Sequence, residues 1–225
     1  MADKTVVHLL RHGEVHNPEG VLYGRLPGYH LSATGRAMAA AAADFFSERT
    51  IAAVYASPLT RAQETARPVA ERHGLSIVTD ERLIESGNVL EGTTVSLRRL
   101  ARNPANWRYL WNPFTPSWGE AYTEVAARMW AAVGRAREEN AGREAVCVSH
   151  QLPIWVTRLH VEHRRLWHNP KSRQCGLGSV TSFTFTGDEL ASVSYAVPPR
   201  TVPAPAAPPR TGPARDEVRE EDAAQ

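Results

Sequence analysis

The chain has 225 residues, of which 42% are hydrophobic and 22% are charged, and its formal net charge is +2. This length and composition allow one full hydrophobic core, and so small a net charge gives no argument for binding nucleic acid or a membrane. Its two cysteines, Cys147 and Cys175, lack the spacing of a disulfide framework. The first residues do not have the pattern of a signal peptide, and no segment is long and apolar enough to span a bilayer, so we expect a cytoplasmic protein.

Strands and helices alternate along most of the chain. The hydrophobic pattern predicts strands at 6–10, 51–55, 76–79 and 145–149, and helices at 32–48, from about 58, at 120–139 and at about 152–161. Two late β runs, at 179–186 and 190–197, flank Gly187-Asp188 as a hairpin. Such alternation is typical of an α/β fold with a mostly parallel central sheet and helices on both faces, a three-layer α/β/α sandwich.

Local signals place the ends of two helices and of the domain. Ser32 is predicted to cap the first helix, and Ser57 followed by Pro58 is predicted to begin the second. Residues 1–197 form one predicted domain. Proline and alanine dominate residues 198–225, and because this composition cannot bury a core we predict a disordered tail.

Histidines and arginines follow three of the predicted strands. Arg11 and His12 end the first strand, Arg61 lies in the first turns of the helix after the second, and His150 ends the strand at 145–149. Ligands bind open α/β sheets outside the carboxyl ends of the strands, so these side chains are expected at one site. A histidine can act as a covalent nucleophile, and arginine beside a helix N-terminus suits a phosphate.

A loop at 83–92 carries two carboxylates, Glu85 and Glu91. A carboxyl group can protonate a leaving group when burial keeps its pKa near the working pH. One of the two is therefore a candidate general acid, and the residues alone leave the choice open.

Taken in order, these motifs resemble the histidine phosphatase superfamily, the phosphoglycerate mutase-like phosphatases with an Arg-His-Gly motif. The resemblance spans about residues 6–197 and implies the phosphoglycerate mutase-like fold. It implies that His12 is the nucleophile and that Glu85, two residues after Leu83, is the proton donor. It also assigns phosphate binding to four residues, namely Arg11, Arg61, His150 and, one position earlier than in the family pattern, Asn17.

This resemblance predicts a metal-independent phosphatase that hydrolyses a small-molecule phosphate ester through a phosphohistidine, without a cofactor. The alternative is a cofactor-dependent mutase of the phosphoglycerate type. The stretch at 20–28 is compact and lacks the long segment of such mutases, which favours the phosphatase. A binding protein on a degenerate fold is a third hypothesis, disfavoured because every pocket residue is present. The sequence leaves open whether the chain forms a homodimer.

Substrate specificity has three candidate residues, Arg25, Trp107 and Arg108. The last two lie in a segment at 98–118, rich in aromatic and proline residues, that could form a lid over the pocket. The alternative is a cluster that packs this loop onto the core. A basic stretch from His163 to Arg173 could extend the positive field toward an anionic substrate, or could be a solvated loop.

Overall fold

A computed structural model describes residues 4–88, 91–94 and 119–199 of the chain. Its strands are β1 (Lys4–Arg11), β2 (Ile51–Ala56), β3 (Ile77–Thr79), β4 (Glu144–Ser149), β5 (Val180–Thr186) and β6 (Glu189–Ala196). Its α-helices are α1 (Ala33–Phe46), α2 (Thr60–Arg72), α3 (Tyr122–Glu139) and α4 (Gln151–Val161), with short 3-10 turns at Glu81–Leu83 and Pro170–Ser172. Trp107, Arg108 and the predicted tail from residue 200 lie outside the described residues.

The six strands form one sheet in the order β3-β2-β4-β1-β5-β6. The pairs β3–β2, β2–β4 and β4–β1 are parallel, whereas β5 runs antiparallel to both β1 and β6. Arg11 lies opposite Ser149, and Ala56 lies opposite Val148. The carboxyl ends of β1, β4 and β2 therefore meet at one edge, and the predicted mostly parallel α/β sheet is confirmed.

Helices cover both faces of the sheet. Along β4, Val146 and Val148 pack in the cluster that contains α1 and α2, whereas Ala145 and Cys147 pack in the cluster that contains α3 and α4. Alternation on successive residues is the period of a strand buried on both sides. None of the helices in the described part of the chain is long and apolar enough to cross a bilayer.

The start of α2 differs from the prediction. Leu59 occupies the N-cap position, and the helix begins at Thr60 and not at Pro58. The hydroxyl of Ser57 accepts only a long hydrogen bond, 3.4 Å, from the Leu59 N–H. Its closer partner is His150 Nε2, 2.8 Å away, so the Ser57 side chain contacts the end of β4 more closely than it contacts the helix.

Helix α1 approaches the loop after β1 very closely. A Cβ atom at Gly35 would lie 2.0 Å from the Glu14 carbonyl oxygen, and one at Gly13 would lie 2.5 Å from the Gly35 carbonyl oxygen. Ser32 caps the helix as predicted, since its Oγ accepts from the Gly35 N–H at 3.0 Å, and its hydroxyl donates to Glu14 at 2.6 Å. The two glycines let the helix hold the loop that follows His12.

We predict that Gly35→Ala destabilises the fold by about 3 kcal/mol, because the clash is with backbone that cannot rotate away. The matched control is Gly134→Ala inside α3, where an added Cβ meets nothing within 4 Å. That change should be neutral or stabilise by about 0.5–1 kcal/mol, as alanine favours the helix. Urea unfolding measures both, and equal effects of the two substitutions would contradict the packing described for α1.

Candidate active site

The strand ends that meet at the carboxyl edge bring the predicted residues together. Pairing continues one residue past the strands, since the His12 N–H donates to the Ser149 carbonyl and the Ser57 N–H to the Val148 carbonyl, each at 3.0 Å. The rings of His12 and His150 consequently lie side by side, with their centroids 5.1 Å apart. Parallel pairing thus creates the site from segments that are distant in the chain.

His12 is buried, with 2% of its surface exposed, and its ring orientation is fixed. Its Nδ1 lies 2.8 Å from the Gly13 carbonyl oxygen. Because a carbonyl only accepts, Nδ1 carries the proton and Nε2 keeps its lone pair. Burial, reinforced by the charges of Arg61 and Arg11, lowers the pKa of His12 to about 3. The ring is therefore neutral at neutral pH, as a nucleophile must be.

His150 is fully buried beside it. Its Nε2 is 2.8 Å from Ser57 Oγ, and its Nδ1 has no hydrogen-bond partner within the described ranges. Burial, together with the neighbouring His12 and arginines, holds the pKa of His150 well below its usual value. In the tautomer in which the Ser57 hydroxyl donates to Nε2, Nδ1 carries the ring proton and can donate to an oxyanion.

Two arginines bring positive charge to the same place. Arg11 donates from Nη1 to the Cys175 carbonyl at 2.6 Å, and Arg61 donates from Nη2 to the Gly24 carbonyl at 2.5 Å. The Arg61 guanidinium also lies 4.8 Å from the centre of the Tyr23 ring and is 1% exposed. The Nε atoms of both arginines are buried without a partner among the described residues. With His150 Nδ1 they make three unpaired groups, which an oxyanion would satisfy.

A cavity of about 350 Å³ opens onto this group. Arg11, His12 and Glu85 line its wall, whereas Arg61 and His150 are buried and are not among the described wall residues. The other described lining residues are Val21, Leu22, Tyr23, Gly24, Ser86, Gly87, Asn88, Gly119, Glu120, Tyr122, Gln151, Leu152, Pro170 and Arg173. In the described ranges, His, Cys, Asp and Glu form no group of three suited to a metal ion. The volume fits a small molecule.

Of the two candidate acids, Glu85 lies on the cavity wall with His12. Burial raises its pKa, against the opposing effects of the Ser86 N–H, which donates to Oε1 at 2.8 Å, and of the Arg61 charge. Glu91 is absent from the described wall, and its Oε1 accepts from the Asn88 N–H at 3.1 Å. The geometry therefore favours Glu85 as the proton donor.

The loop that carries Glu85 is held by two arginines that share one carboxylate. Arg128 of α3 donates to the carbonyls of Arg82 and Ile84 at 2.6 and 2.8 Å. Arg25 donates to the Glu85 carbonyl at 2.6 Å. Both arginines also bind Glu120, at 2.7 to 3.0 Å. Arg25, predicted as a specificity residue, is thus placed to position the Glu85 backbone, and sequence reasoning missed its two partners.

Asn17 is placed differently from the other predicted phosphate-binding residues. Its amide nitrogen donates to the Val21 carbonyl at 2.8 Å, and its amide oxygen accepts from the Val21 N–H at 3.0 Å. Both ends of the side chain are engaged in this turn, and Asn17 is not among the described wall residues. Its contact orders the loop at 17–21, one side of which reaches the cavity through Val21.

Comparison with known families and proteins identifies the family of the chain. The sequence model of the histidine phosphatase superfamily (branch 1) matches residues 7–198. Uncharacterized protein Rv0525 of Mycobacterium tuberculosis is 58% identical over 199 residues, covering 88% of this chain and 98% of that protein. A Yersinia enterocolitica protein named probable phosphoglycerate mutase GpmB is 33% identical over 154 residues, covering 66% of this chain and 70% of that protein.

Solved structures give the same result. The mycobacterial glucosyl-3-phosphoglycerate phosphatase Rv2419c superimposes with a TM-score of 0.67 at 27% identity, covering 88% of this chain and 97% of that one. YhfR of Bacillus stearothermophilus superimposes with a TM-score of 0.68, also at 27% identity, covering 86% and 95% of the two chains. The described fold is therefore shared with a solved structure named a phosphatase.

We predict that His12 stays uncharged from pH 8 down to about pH 4 in phosphate-free buffer, because its pKa is held at about 3. Since the unfolded chain binds that proton near pH 6.5, this burial costs stability increasingly as the pH falls below 6.5. Imidazole NMR shifts, assigned by comparison with His12→Ala, measure the titration. An inflection of the His12 signals between pH 5.5 and 7.5 would contradict the described burial.

Proposed function

The chain belongs to the histidine phosphatase superfamily, whose members are phosphatases or mutases, and we propose that it hydrolyses a small phosphomonoester through a phosphohistidine on His12. The observation that carries this proposal is the orientation of His12. Its Nδ1–H is bound to the Gly13 carbonyl, so the lone pair of Nε2 is available beside the unpaired donors of Arg11, Arg61 and His150. A neutral nucleophile next to a group of cationic donors suits phosphoryl transfer.

In the first proposed step, His12 Nε2 attacks phosphorus in line with the ester oxygen. The N–P bond forms while the P–O bond breaks, and Glu85 gives its carboxyl proton to the departing alkoxide. The raised pKa of Glu85 supports this role, because it keeps more of the group protonated than an ordinary carboxyl. The positive charge that develops on the imidazole is stabilised by the Nδ1–H bond to the Gly13 carbonyl.

In the second step, water attacks the phosphorus of the phosphohistidine. The Glu85 carboxylate takes a proton from that water, the P–N bond breaks, and His12 regains its lone pair. Inorganic phosphate leaves with Glu85 protonated again, so one carboxyl group serves as acid and then as base. Arg11 and Arg61 supply fixed positive charge to the equatorial oxygens throughout, the part that a metal ion plays in other phosphoryl transfers.

A phosphoglycerate-type mutase is the second candidate, supported by the name of the Yersinia relative. In a mutase, the phosphohistidine would return its phosphoryl group to another hydroxyl of the retained molecule and not to water. Both reactions use the same first step, so the products distinguish them. The phosphatase names of structural neighbours support hydrolysis as the leading proposal.

We predict that wild-type protein releases inorganic phosphate from at least one member of a panel of phosphomonoesters, with EDTA present. His12→Ala should lower this turnover by roughly 10³-fold or more, since the nucleophile is lost. Phosphate release and product identity are measured in the same samples, with 3-phosphoglycerate in the panel. Isomerised ester without free phosphate would replace the phosphatase with the mutase, and full activity in His12→Ala would contradict both.

The role of Glu85 is tested by the leaving group. Glu85→Gln should slow hydrolysis of alkyl phosphates by about 10²-fold or more, because an alkoxide needs protonation as it leaves. The same change should affect p-nitrophenyl phosphate much less, since nitrophenolate is a stable anion. The comparison of kcat/KM for the two ester types is the measurement.

Glu91→Gln is the matched control for that experiment, with the same change in charge on the same loop. It should alter both ester types by less than about threefold, because Glu91 is not among the described wall residues and its Oε1 accepts from the Asn88 N–H. If Glu91→Gln shows the leaving-group effect and Glu85→Gln does not, Glu91 is the proton donor and the assignment of Glu85 is wrong.

A further inference from the structure

A third arginine, Arg173, lines the same cavity as Arg11 and His12. It follows the short turn Pro170–Ser172, and its side chain is partly buried. Within residues 4–88, 91–94 and 119–199, no carboxylate lies within ion-pair distance of its guanidinium. A partly buried cation without a carboxylate partner is expensive unless a ligand supplies the opposite charge.

Neutral partners hold this guanidinium in one orientation. Its Nε donates to His168 Nε2 at 2.8 Å, and the Nδ1–H of His168 donates to the Leu166 carbonyl at 2.6 Å. Its Nη1 donates to Gln151 Oε1 over a longer distance, 3.4 Å. These contacts fix the position of Arg173, and neither of them brings a negative charge to it. Burial lowers the pKa of Arg173, against the opposing effects of Tyr122 and Glu85.

The other charges on the wall do not neutralise Arg173. Glu120 is already bound to Arg25 and Arg128, and Glu85 must be protonated to act as the acid. Arg11 belongs to the unpaired donor group around His12, which one phosphate would satisfy. When Glu85 is protonated, as the proposed mechanism requires for substrate binding, the cavity wall at Arg173 is therefore positively charged.

We propose that Arg173 binds a second anionic group, a carboxylate or a second phosphate, carried by the same small molecule as the phosphate that reacts at His12. This inference rests on the proposed function and narrows its substrate class to phosphorylated acids and bisphosphates. Arg173 is a specificity residue in this scheme, oriented by His168, and the uncharged part of the substrate spans the cavity between the two anions.

The experiment uses pairs of esters that differ in the second anion. Phosphoglycolate against ethyl phosphate, and 3-phosphoglycerate against glycerol 3-phosphate, test a carboxylate. Fructose 1,6-bisphosphate against fructose 1-phosphate tests a phosphate. In at least one pair we expect wild-type protein to favour the doubly anionic member in kcat/KM by about 10- to 100-fold, the range of a charge-assisted hydrogen bond.

Arg173→Gln should abolish that preference while changing kcat/KM for the singly anionic members by less than about threefold. Arg173→Lys should restore part of it, because the charge is kept and the fork of donors is lost. Arg164→Gln is the matched control, with the same charge change on the same basic stretch at an arginine that already pairs with Glu162. It should leave the preference intact.

Three results would overturn the inference. The first is that wild-type protein prefers neither member of any pair, and the second is that Arg173→Gln keeps the preference. The third is an equal loss of kcat/KM for both members of every pair in Arg173→Gln, which would mean that Arg173 acts at the reacting phosphate. Calorimetry can also measure the binding of the same pairs to the His12→Ala variant, which compares the affinities of the two members of each pair without turnover. If no ester is hydrolysed but binding shows the Arg173-dependent preference, the proposed function fails and the second-anion site stands. If esters are hydrolysed without the preference, the proposed function stands and the second-anion site fails.

Discussion

The hydrogen bond from His12 Nδ1 to the Gly13 carbonyl is the contact on which the chemistry of the cavity depends. It fixes the tautomer and leaves Nε2 with a lone pair. Burial and two arginine charges then lower the pKa of His12 to about 3, so protonation does not compete with attack on phosphorus. The same positive charges that keep the histidine neutral are the ones that would attract the phosphate, which ties nucleophile activation to substrate binding.

The sheet makes this contact possible. Parallel pairing of β1 with β4 and of β4 with β2 brings three strand ends to one edge, and each end delivers a polar side chain there. Gly13 and Gly35 allow α1 to pack closely against the loop after His12, so the Gly13 carbonyl has little freedom to move. Fold stability and site geometry are therefore set by the same backbone contacts.

The sequence was sufficient to predict the sheet and the clustering of Arg11, His12 and His150, because strand ends in a parallel sheet have a known common edge. It failed at Ser57, predicted as a helix cap, because its partner His150 is 93 residues away. The Arg25–Glu120–Arg128 group was not predicted for the same reason, since Arg25 is 95 residues from Glu120, and the carbonyls of Arg82 and Ile84 are 46 and 44 residues from Arg128. Local patterns predict elements and motifs, whereas the support around a site comes from pairs that only the folded chain brings together.

The most direct test of the central claim is the site of phosphorylation. The protein is mixed with a phosphomonoester that it hydrolyses, and the reaction is quenched with base to preserve the P–N bond. The quenched protein should carry phosphate on Nε2 of His12. The position of the phosphate is determined by ³¹P–¹H and ¹⁵N NMR of selectively labelled histidine. Phosphate on Nε2 is the predicted result, since Nδ1 is occupied by the Gly13 carbonyl. Phosphate on Nδ1, or on a different residue, would contradict the mechanism.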